Sequence, residues 1–144
     1  MIHAVGDSHV SVFTGLHGVC PFVGEDCPHA VPGFRVAHLG PYLAHSVARP
    51  RHDVREAIRK ALTNTSPGIP VVFSFGEIDC RCHLAKHATS VKTIAAAARE
   101  VALAYARASA KLAGRREFAW LAAPPATVTP HLNRRYPTVG LFSQ

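Results

Sequence analysis

Hydrophobic positions in this chain fall into short blocks that end on glycine, with longer blocks at helical spacing between them. Ile2 to Val5 is an apolar run stopped by Gly6, which predicts a first strand. "FRVAHLG", residues 34 to 40, predicts a second strand that also ends on glycine. "VVFSF", residues 71 to 75, lacks the alternation of a half-exposed strand. It predicts a strand buried on both faces of a parallel sheet, ending at Gly76. "FAWLAA", residues 118 to 123, predicts a fourth strand before Pro124-Pro125, with Trp120 expected in the core. Val54, Ile58 and Leu62 fall at i, i+4 and i+8, with Ala57 and Ala61 on the same face, so a helix is predicted from Asp53. Asp53 can cap it, Glu56 can pair with Lys60, and "TNTSPG" stops it. An alanine-rich helix is predicted from about Ser90 to Leu112. Val91, Ile94, Ala98, Val101 and Tyr105 mark its apolar face, Tyr105 as a packing residue, and Gly114 is its stop. Residues 14 to 33, rich in Gly, Pro, Cys and His, have no period and predict a long loop with room for one helical turn.

Strands that alternate with helices argue for an α/β domain with a mostly parallel sheet and right-handed crossovers. At 144 residues and 48% hydrophobic, the chain is expected to form one domain, 1–144, with a real core. No apolar run approaches the roughly 20 residues that span a bilayer, so no membrane partner is expected. The N-terminus lacks a basic region followed by an apolar one, which leads to the expectation of a cytoplasmic protein. The net charge of +7 raises nucleic acid as a partner, but the basic residues are scattered and the aromatics do not interleave with them. Nucleic acid is therefore not expected as the main partner.

Ligands of parallel α/β sheets bind at the carboxyl ends of the strands. The unusual residues of this chain cluster there: Gly6-Asp7-Ser8-His9, then His38 and Gly40, then Gly76-Glu77-Ile78-Asp79-Cys80-Arg81-Cys82-His83. Asp and Ser are also ordinary turn and cap residues, so Gly-Asp-Ser alone fits a plain turn. Ser8 as a nucleophile would need a base and hydrogen-bond donors for the oxyanion. Its own N–H, and that of Gly40, are the candidate donors. Glu77 and Asp79 next to Arg81 fit two readings equally. They could contact substrate, with Arg81 as an anion or carbonyl clamp, or form an internal carboxylate–arginine network that includes Asp7. Asp7, His9, His38, Cys80, Cys82 and His83 could converge on a zinc ion. Neither the Cys20/Cys27 nor the Cys80/Cys82 spacing is that of a zinc knuckle, so no metal or other cofactor is expected.

Taken together, the three strand ends resemble the SGNH (GDSL-type) hydrolase superfamily, whose members are flavodoxin-like α/β esterases and lipases. "GDSH", 6 to 9, is similar to the family's first block, with Ser8 at the nucleophile position. "HLG", 38 to 40, is similar to the second, with Gly40 at the oxyanion glycine. "FSFGEIDCRCH", 73 to 83, falls where the third belongs and is similar to a subgroup associated with glycan modification. The resemblance implies a three-layer flavodoxin-like fold and a serine esterase acting on a small-molecule or glycan ester. Two departures stand beside it. The oxyanion asparagine of the third block is Ile78 here, and no Asp-x-x-His block follows Asp79. The chain is therefore expected to lack the last strand and helix of that fold. The base is left among His9, His38, His83 and His131, with His83 the preferred candidate. Site-lining residues are expected to be Asp7, His9, His38, Glu77, Asp79 and Arg81. The alternative is a non-catalytic relative that binds a glycan or an anion in the same cleft.

Overall fold

The computed structural model describes residues 1–15, 31–50, 53–80, 84 and 93–121. Four strands form an all-parallel sheet: β1 (Ile2–Gly6), β2 (Phe34–His38), β3 (Val71–Ser74) and β4 (Phe118–Trp120), in the order β2-β1-β3-β4. Helices α1 (Ala44–Ala48) and α2 (Asp53–Thr63) join β2 to β3, and α3 (Ile94–Ala113) precedes β4. A 3-10 helix, Ser8–Thr14, follows β1 directly. The expected α/β class and parallel sheet are present.

The sheet's alternation sorts its residues between two clusters. Val5, Ala37, Val71 and Phe73 face α1, α2 and α3 and form the main core with Val47, Val54, Ile58, Leu62 and Leu112. Ala4 and Val36 face the other way and pack on Val10, Phe13 and Phe34, beneath the 3-10 helix. Each large aliphatic side chain so buried contributes about 1.5–3 kcal/mol. One polar pair lies within the core boundary, where His3 Nδ1 and Thr65 Oγ1 are 2.7 Å apart, both residues buried.

Helix α2 begins at Asp53, whose carboxylate accepts from the Val54 N–H at 2.9 Å, and buries Val54, Ile58 and Leu62 as their spacing requires. Helix α3 differs from expectation. Thr93 caps it, accepting from the Ala96 N–H, while Ser90 and Val91 lie outside the described residues. Its core face is Ala97, Tyr105, Ala108, Leu112 and Ala113, with Val101 packed against it; Tyr105 and Val101 lie there as expected, whereas Ile94 and Ala98 are only partly buried. In an alanine-rich helix the apolar stripe is broad, so spacing alone does not say which edge packs. Trp120 is a second correction. It is 47% exposed, on the strand that ends the described sheet, with its ring edge-on to Phe118. Among the described residues, no helix is long and apolar enough to cross a membrane.

Candidate active site

The strand order reverses direction at β1. The chain leaves β1 for β2 on one side and later returns to β3 on the other, and the carboxyl ends of β1 and β3 then lie side by side. A crevice at such a reversal is the usual ligand position in open parallel sheets. Gly6 permits the close approach. It pairs with both His38 and Ser74, and a Cβ on it would overlap the Ser74 carbonyl oxygen. The Asp7 N–H donates to Ser74 O at 2.9 Å, and the Leu39 N–H donates to Gly6 O at 2.8 Å. The three strand ends are thereby tied together before any side chain acts.

Asp7 and Ser8 stand where the strand becomes the 3-10 helix. Asp7 is the N-cap, and its Oδ1 accepts the His9 N–H at 2.9 Å. The residue is fully buried, and its Oδ2 has no hydrogen-bond partner among the described residues. Burial pushes the Asp7 carboxyl above the usual range. The His9 backbone bond and the His9 ring pull it down, while the Glu77 charge adds to the rise. Ser8, the next residue, is half-buried and so open to a ligand.

His9 turns its Nδ1 toward the carboxylates. Nδ1 lies 3.4 Å from Asp7 Oδ1 and 4.0 Å from Glu77 Oε2. Glu77 is buried, and it opens the helical turn 77–80 that follows β3. One imidazole thus faces two buried carboxylates from neighbouring strand ends.

Asp79 has a different task. Its Oδ2 accepts the Ala44 N–H at 2.6 Å and its Oδ1 accepts the His45 N–H at 3.3 Å. It caps α1 from across the fold, since Leu43 at the N-cap supplies no side-chain bond. Neither reading open for the acidic pair is decided at Asp79: two of its bonds go to backbone amides, and Arg81 lies outside the described residues. Cys80 is half-buried and free, and burial, then the Asp79 and Glu77 charges, push its thiol up.

Gly40 follows β2 at φ 101°, a conformation that glycine alone adopts without strain, and it is buried next to the β1 end. No backbone–backbone hydrogen bond engages the N–H of Ser8 or of Gly40 among the described residues. His38 is buried on β2, in register with Gly6. The structure therefore gathers Asp7, Ser8, His9, His38, Gly40, Glu77 and Asp79 at three adjacent strand ends. His83, His131, Arg81, Cys20, Cys27 and Cys82 lie outside the described residues. Among the described residues, no three His, Cys, Asp or Glu side chains group so as to hold a metal ion.

Two features escaped the sequence reading. Helix α1 has five residues and no period to betray it. An apolar cavity of about 420 Å³ also lies behind the ends of β3 and β4, walled in part by α3. The alanine richness of 94–113 was its only trace. No family model, curated protein or solved structure matches the chain.

Proposed function

We propose that the protein is a serine ester hydrolase of SGNH type, built on a flavodoxin-like fold, with Ser8 as its nucleophile. The observation that carries this reading is the position of Ser8. It stands half-buried at the carboxyl end of β1, at the strand-order reversal, beside an imidazole that faces two buried carboxylates. A strand order of 2-1-3-4 is also that of a flavodoxin-like sheet through its first four strands.

In this reading Ser8 Oγ attacks the ester carbonyl and its proton passes to an imidazole. The carbonyl oxygen takes up the negative charge and accepts from the N–H groups of Ser8 and Gly40. Collapse expels the alcohol, which takes the proton, and water then releases the acid by the reverse sequence. Two imidazoles compete for the base. His83 is the candidate from the motif. His9 is the one whose Nδ1 is held toward carboxylates, which favours the Nδ1–H tautomer and leaves Nε2 as the acceptor. The alcohol side of the ester, a glycan among the candidates, would lie outside the crevice.

The test is hydrolysis of p-nitrophenyl acetate by the wild type, Ser8→Ala, His9→Gln and His83→Gln. Ser8→Ala is expected to lose activity by at least about a thousandfold, and one of the two glutamine variants to follow it. Full activity in Ser8→Ala would reject the reading. A second reading, a non-catalytic glycan- or anion-binding protein, is favoured by Ile78 at the position of the family's oxyanion asparagine. It expects no turnover from any variant.

A further inference from the structure

The amino end of the sheet holds a histidine that the Ser8 chemistry does not use. His3 is fully buried on β1, on the face that Val5 turns to the helices. Its Nδ1 lies 2.7 Å from Thr65 Oγ1, and that hydroxyl also reaches Ala61 O at 3.2 Å. The His3 N–H donates to Pro70 O at 2.8 Å. One residue thus fastens β1 both to the end of α2 and to the residue before β3.

The charges gathered at this end are positive. Arg35 stands in register with His3 on β2, on the same face, and its guanidinium donates to Asn64 O. The Arg116 guanidinium, from the turn before β4, donates to Leu62 O and to Thr65 O, both at 3.0 Å. The carbonyls at the end of α2 therefore already hold two cations, which take up the negative end of that helix. Arg59, Lys60, Lys111 and Arg115, in the last turns of α2 and α3 or just after, add exposed positive charge, as does the Met1 amino group. Strand β3 brings no charge over Val71–Ser74. Asp53 and Glu56 sit in the first turn of α2, at the far end of the helix. Glu117 is exposed and alternates away from the core face that Phe118 occupies. A proton on the neutral His3 imidazole would add a third cation beside Arg35 and Arg116, in a place removed from water.

We infer that His3 is an acid-sensitive latch: neutral, it holds β1 to the end of α2, and on protonation it releases the connector 64–70. The inference does not rest on the Ser8 reading. Histidines of an unfolded chain protonate near about pH 6.5, whereas a buried imidazolium here is opposed by lost hydration and by two guanidiniums. Below that pH the unfolded state binds the extra proton, so stability falls as pH falls. Urea midpoints are measured from about pH 7.5 to about pH 5 on the wild type, on Arg116→Met and on His3→Asn, which keeps a hydrogen-bonding atom near the Nδ1 position. On the wild type, the unfolding equilibrium constant is expected to gain up to about tenfold per pH unit below pH 6 over the slope of His3→Asn. Arg116→Met, with one cation fewer, is expected to fall between the two. Equal slopes on the wild type and His3→Asn would overturn the latch. The His3 ring nitrogens of the wild type are followed in parallel by NMR, which needs no variant to fold. His3 is expected to be neutral at neutral pH and to protonate together with shifts in the backbone amides of 62–69. Protonation that leaves those amides in place, or an imidazolium already present in the folded protein at about pH 7.5, would overturn it as well.

Discussion

The ends of β1 and β3 lie side by side, and each carries a buried aspartate shortly after a glycine, yet the two carboxylates live differently. Asp79 has both oxygens on backbone N–H groups of α1. Asp7 has one oxygen on the His9 N–H and the other buried with no hydrogen-bond partner among the described residues. A fully satisfied buried carboxylate is a structural part. A half-satisfied one is costly, and a fold retains it most readily where the charge has work to do. Asp79 therefore reads as scaffold and Asp7 as part of the chemical end, with Glu77 reaching from the scaffold turn to join it.

The sharpest way to break the comparison is to separate the two ends. Gly6→Ala forces a methyl into the Ser74 carbonyl and is expected to cost about 3 kcal/mol, read as a lowered urea midpoint. An unchanged midpoint would mean that the ends are not in register. Asp79→Ala removes the cap of α1 and is expected to cost about 2 kcal/mol in the same assay. Asp79→Asn, which keeps one acceptor oxygen, should lose about half of that. Equal losses from the two variants would show that charge, rather than bonding to α1, is what Asp79 supplies.

Asp7→Asn is expected to act in the opposite direction and by less, raising stability at neutral pH by about 1 kcal/mol. Burial raises the folded-state pKa of Asp7 above its unfolded value. The folded state then binds more protons than the unfolded state between those two values, so Asp7 lowers stability as pH rises through that window. The gain from Asn should be complete above the window and vanish as pH falls to the ordinary carboxylate range. A gain that persists in acid would mean that the Asp7 charge is not its source.

Much of this arrangement is legible in the sequence, because strands buried on both faces and glycines at strand ends leave strong local marks. Val71 to Ser74, and Gly6 at the end of β1, are of that kind. What pairs Asp79 with the amides of 44 and 45 is not local. Those amides are 35 and 34 positions from Asp79, and α1 is too short to announce itself. Trp120 failed for a related reason. Its strand pattern says nothing of whether a further element covers it, and it is half exposed. The approach of His9 to Glu77 likewise depends on the adjacency of β1 and β3, which only the strand order supplies.

The central claim is that Ser8 is an activated nucleophile. Intact-mass analysis after brief exposure to a fluorophosphonate tests it most directly, because such probes react rapidly only with serines that have a neighbouring base. A single adduct on the wild type that is absent from Ser8→Ala is the expected result. No adduct on the wild type, or an equal adduct on Ser8→Ala, would contradict the claim.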